Sequence, residues 1–318
     1  MARKHLLFAA VLVGCATARP PVPLHEFHNG FWTNLHDALY NEAHGPDESG
    51  HPVIKPLVLT GDDRRIWGEA VQAYRATIGG KEYTRDRELL VALDVVARVD
   101  AGADLASVEL RPEVLDALRR AAPIYRANSW PEVRRMNEQF IADAKRAVAA
   151  HGERVARRLS EIFRDPWPRP ARIDVVRYAM WAGAYTRVDL RTGLPKTIMA
   201  SGEDGNRARL LEILFHEPSH AIVGPNQGTV MKAINARCRT PRDFWHVLLF
   251  YSVGEAVKEE LGPSYVPYAE AGGLWKIPSW GKSKSVLEAT WKPYIEGRRS
   301  FEDGVGDICA QFPPAPVP

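Results

Sequence analysis

Residues 214 to 220 read Leu-Phe-His-Glu-Pro-Ser-His. Residues four apart on a helix share a face, so His216 and His220 can turn imidazole nitrogens toward one cation. Zinc accepts such nitrogens at about 2.0–2.1 Å and, in catalytic sites, keeps a position for water. Glu217 follows the first histidine. A carboxylate there can take a proton from water that the metal has acidified. The spacing therefore points to one Zn2+ per chain and to hydrolysis. Leu210, Leu211, Leu214, Phe215, Ala221 and Ile222 give the stretch the texture of a buried helix.

A third ligand is needed, and the next long helix offers one. It runs from Thr240-Pro241 to Leu261 and carries Glu255 and Glu259 four apart, with Tyr251 and Leu248 on the same face. From about Arg172 to Gly262 this pattern resembles the gluzincin, thermolysin-like branch of the zincin metallopeptidases. The resemblance implies Glu255 as the third metal ligand and Glu259 as the acid that hydrogen-bonds a ligating histidine. It also implies an edge strand just before the motif helix, at Lys196 to Ser201, along which an extended peptide or protein substrate pairs. The metzincin branch does not fit, because the chain continues after His220 as Ala-Ile-Val-Gly-Pro-Asn, without the third histidine. His246 is the rival ligand. It lies nine residues before Glu255, nearly opposite on a straight helix. His246 or Tyr251 could instead stabilise a developing oxyanion. The plain alternatives are a helix-start histidine and a packed tyrosine.

Pro218 sits inside the motif. It removes the N–H that would bond the carbonyl of Leu214, and its ring crowds that carbonyl. It also pushes Glu217 from helical geometry. Three outcomes are open. The helix kinks with both histidines still on the metal, or a new helix starts near Glu217, or the site has lost its metal; beside these stands coincidence, with His216 and His220 as ordinary histidines next to a proline.

The rest of the chain must position these residues. Periodicity predicts helices over His28–Ala43, from Asp62 or Asp63 to Ile78, over Arg85–Val99 and Pro112–Arg126, and a long one from Ser129 to about Phe163. Asp165 to Pro170 is a break. Alternating, β-branched stretches predict strands at Ala171–Tyr178, Ala184–Leu190 and Lys196–Ala200. Helix then resumes from about Asn206, with shorter helices near Ser283–Arg298 and Phe301–Gln311. The expected fold is α+β and mostly helical. It has an N-terminal helical region (16–165), a zincin-like catalytic region (166–311) with a small mixed sheet, and a frayed tail (312–318).

The amino terminus reads as an export signal. Arg3, Lys4 and His5 precede the apolar run Leu6–Gly14, too short to span a bilayer. Leu-Val-Gly-Cys15 resembles a bacterial lipobox, with 1–14 removed and Cys15 lipidated. The other reading is a plain signal cleaved near Ala16–Ala18. Alanine at 16 favours the outer membrane. The body is then tethered to the membrane by lipid alone. Cys238 and Cys309 remain as an even pair in an oxidising compartment, either a disulfide or two buried thiols. A net charge of +3 with no basic stripe argues against nucleic acid. The sequence leaves the oligomeric state open. Together these features describe an envelope zinc peptidase. The alternatives are a cell-wall amidase using the same site, or a zincin-like scaffold or binding lipoprotein that has lost the chemistry.

Overall fold

A computed structural model describes residues 22–45, 57–81, 86–179, 183–189, 191–202 and 209–314. The lipobox with Cys15 and the last four residues lie outside this set.

One four-stranded sheet divides the molecule. Its strands are β1 (His25–His28), β2 (Ala171–Val176), β3 (Ala184–Val188) and β4 (Pro195–Ala200), in the order β1-β2-β4-β3. The first three in that order run parallel, and β3 is antiparallel to β4. Two expectations change here. The strand β1 ends at His28, where a helix was expected to begin, so His28 is in the sheet and the first helix starts only at Phe31. The strand expected at the edge, β4, lies inside the sheet, and β3 is the edge strand on the motif side.

Side chains alternate across the sheet. Val176, Tyr185, Ile198 and Ala200 face a layer of helices α1 (Phe31–His44), α2 (Gly61–Thr77), α3 (Arg87–Asp100) and α4 (Pro112–Asn128). Asp100, at the end of α3, caps α1 from across the layer. It accepts bonds from the amides of Trp32 at 2.7 Å and Thr33 at 2.9 Å. Gly30 is required at that point, because a Cβ there would meet the Asp100 carboxylate at 1.9 Å.

The opposite face, with Ile173, Val175, Ala184 and Met199, packs on α5 (Trp130–Ala147), α6 (Glu153–Phe163), α7 (Leu210–Ser219) and α9 (Phe244–Leu261). A π-helical turn, Val148–Gly152, joins α5 to α6, so the long helix expected from Ser129 is nearly continuous. Packing runs across residue 165: α5 and α6 share one core with the motif helices.

Beyond the motif come α8 (Gly228–Asn235), α10 (Tyr268–Ala271), α11 (Pro278–Thr290), α12 (Lys292–Ile295) and α13 (Phe301–Cys309). A disulfide joins Cys238, just after α8, to Cys309 in α13. It closes a loop spanning 71 positions, a constraint on the unfolded chain of about 4 kcal/mol on the loop-entropy account. The tail is docked as far as Pro314 and is not frayed there. The Phe312 ring stands edge-on to Phe244 at 5.2 Å, and the amide of Arg239 donates to the Pro313 carbonyl at 2.8 Å. Among the described residues, no helix is long and apolar enough to cross a membrane.

Candidate metal centre

All ten residues of α7 are buried. The helix carries Glu212 and His216 four apart, with His220 in the turn that ends it. Against it lies the face of α9 made by His246, Phe250 and Gly254, again at four-residue spacing. Gly254 makes room for Pro267, in the segment after α9: a Cβ there would stand 2.9 Å from Pro267 Cβ, with a Glu212 oxygen of α7 at an ordinary 3.4 Å.

Three imidazoles converge where the helices meet. Ring centroids are 5.1 Å apart for His216 and His220, 5.5 Å for His216 and His246, and 5.2 Å for His220 and His246. One ring nitrogen from each lies within 4.8 Å of the others. The Phe250 ring packs 3.9 Å from His216, while Trp245 and Trp280 pack at 4.8 and 5.5 Å from His246. Nδ1 of His216 and Nε2 of His246 are buried with no hydrogen-bond partner. A bound cation can take up such lone pairs, whereas an apolar wall cannot. The donor set, three neutral imidazoles, also suits zinc. Burial, and secondarily the neighbouring histidines, hold His216 well below its usual range. Burial likewise brings His220 to about 3 and His246 to about 4. The rings are therefore in the form that binds metal.

Glu217 lies beside this cluster, buried, with Oε2 accepting a bond from Thr186 Oγ1 at 2.8 Å. Thr186 is on β3, directly across from Thr197 of β4, and the two hydroxyls are 2.7 Å apart. The single proton of Thr186 goes to Glu217, so Thr197 donates to Thr186. Burial pushes the Glu217 carboxyl up to about 7, opposed by the Thr186 bond. One turn earlier, Glu212 is also pushed up to about 7 by burial. It accepts from Tyr265 Oη at 2.6 Å and from the Tyr268 amide at 2.8 Å, tying the segment after α9 to α7.

Glu255 is not in the cluster. It points about half a turn of α9 away from His246 and bonds Lys292 Nζ at 2.9 Å. Glu259 pairs with Arg158 of α6 at 2.9 Å and orients no histidine. Tyr251 goes with Glu255. It lines the same cleft with its hydroxyl buried and unpaired, and burial and then the Glu255 charge raise its pKa. His246 takes the third place that the gluzincin resemblance gives to Glu255. Sequence reasoning missed Thr186 in its link to Glu217. The Tyr268 ring stacks on Phe250 at 6.0 Å, and burial first, then the Glu217 and Glu212 charges, raise its pKa. The signal for His246 was present, in the face His246–Phe250–Gly254.

No known protein family, no curated protein and no solved structure matches the chain. The functional reading of the centre therefore rests on its geometry.

The buried histidines give the metal-free protein a pH dependence. His25 and His36 are held at about 4, like His246, and His220 at about 3. A histidine with a depressed folded pKa adds stability that is present above the unfolded value near 6.5 and is lost as pH falls toward the folded value. Glu212 and Glu217, raised to about 7, act in the opposite sense between about 4.5 and 7, but they are outnumbered. The urea midpoint of metal-free protein is expected to drop from pH 6.5 to pH 5. An unchanged midpoint would show that these rings are not buried neutral.

Proposed function

We propose that this chain is a zinc-dependent hydrolase of peptide bonds, with His216, His220 and His246 as the metal ligands and Glu217 as the general base. The convergence of three neutral imidazoles from two helices, with a buried carboxylate one residue from the first, supports the reading above all else. Bound there, zinc would supply Lewis acidity, acidifying water and polarising the carbonyl under attack.

The chain's own groups do the rest. Thr186 fixes Glu217 Oε2 and leaves the other oxygen to accept a proton. Tyr268 is the donor this reading assigns to the oxygen of the attacked carbonyl. Among the described residues, β3 pairs only with β4. An extended peptide can therefore add along its free side as a further strand. The Cys238–Cys309 disulfide fits an oxidising compartment and so an envelope substrate. On the same reading, a lipid at Cys15 tethers the protein to the membrane.

The test is a peptide-library digest with the zinc-loaded protein. Cleavage that stops on chelation and returns with zinc is expected. A protein that holds zinc and cleaves nothing would instead be a metal-binding scaffold.

A further inference from the structure

Pro218 leaves an unpaired group behind it. In an uninterrupted helix its amide would bond the carbonyl of Leu214, four residues back, but proline has no N–H to give. Leu214 is fully buried, so water cannot replace the missing donor. A histidine replaces it. Nε2 of His25, on β1, lies 2.9 Å from the Leu214 carbonyl oxygen. A carbonyl only accepts, so Nε2 carries the proton and His25 is the neutral Nε2–H tautomer. Its Nδ1 is buried without a partner. His25 is only 7% exposed, and its ring stands edge-on to Phe215 at 5.3 Å and to Trp167 at 6.3 Å.

Past the proline, α7 tightens. The amide of His220 bonds the Glu217 carbonyl and that of Ala221 bonds the Pro218 carbonyl, three residues back in each case. This turn carries the His220 ring toward His216 and His246.

We propose that His25 is a positioning residue for the metal centre. It supplies from the sheet the donor that Pro218 lacks. The helix can then pass through the proline closed, and the following turn brings His220 onto the cluster. The link acts through the Leu214 carbonyl, two residues before His216, and touches neither metal nor substrate. Its importance for catalysis rests on the zinc reading above, whereas the latch itself does not.

The test is a double-mutant cycle on the intact soluble chain, with zinc affinity and urea midpoint both measured. His25→Phe removes the donor and keeps an aromatic ring. His25→Gln keeps an N–H donor of similar reach. Pro218→Ala restores the missing amide. We expect His25→Phe to weaken zinc binding at least tenfold and lower the midpoint, and His25→Gln to recover most of both. In the Pro218→Ala background, His25→Phe should have little effect on either. If His25→Phe alone fails to fold, recovery of folding in the double variant supports the latch equally. An effect of His25→Phe that persists undiminished with Pro218→Ala overturns the proposal. So does a zinc affinity that His25→Phe leaves unchanged. If the wild type binds no zinc, the metal reading has failed, the positioning role falls with it, and the midpoints alone decide whether the latch exists.

Discussion

His220→Ala is expected to abolish metal binding at the candidate centre and leave the fold standing. The wild-type body should carry about one zinc per chain, and the variant close to none. The loss should exceed ~100-fold in affinity, because even partners that only orient a ligand typically cost 10–100-fold. His246→Ala should do the same, since its ring nitrogen belongs to the same cluster. Glu255→Ala is the decisive companion. Its carboxylate is spent on Lys292, so zinc content should not change. A zinc content that fell with Glu255 and survived the loss of His246 would reverse the assignment and restore the gluzincin ligand set. Circular dichroism of each variant checks that the loss is local. Both histidine-to-alanine changes remove a ring and create no buried charge, so the fold is expected to tolerate them.

Glu217→Gln should separate binding from chemistry. Glutamine has the same shape, and its carbonyl oxygen can still accept the Thr186 hydroxyl, so the side chain stays in place. What it loses is the ability to take a proton. Turnover should fall by roughly the 10²–10⁴-fold that a positioned base contributes, while zinc stoichiometry stays at one. Activity retained within a few-fold would refute the base. Loss of zinc together with activity would mean that Glu217 holds the metal site and does not serve it as a base.

Part of the centre is legible in the residues themselves. The spacing of His216, Glu217 and His220 states a local geometry, and a helix enforces it. The third candidate ligand depends on a contact between two helices, and there the sequence offers two faces of α9. The series Tyr251–Glu255–Glu259 has the chemistry that the zincin resemblance asks for. The series His246–Phe250–Gly254 has the packing: a glycine where Pro267 presses close and a ring to cover His216. Packing decides, because Lys292 and Arg158 take the two carboxylates and neither residue is near them in sequence. The strands at Ala171, Ala184 and Lys196 are visible as alternating runs. Their order is not, because strand order is set by which edges meet, and so β4 reads as an edge it does not form. The strand β1 is four residues long, too short to show a period, and its partner β2 comes only after α1 to α6. The proline is visible as a problem. Its solution, a histidine on that unseen strand, is not.

The contact between His25 and Leu214 spans 189 positions of chain. Contacts of such separation close late, because the entropy of closure must be met before they return anything. A four-residue strand has no stability of its own and must wait for β2 to dock against. During synthesis, β1 leaves the ribosome long before the helix it will brace. The two motif helices can collapse on each other first, bringing the histidines near one another around a proline with an unanswered carbonyl. On this order of events the site matures last, when the first strand comes home. A chain still leaving the ribosome carries the three histidines in its sequence before it holds them together in space.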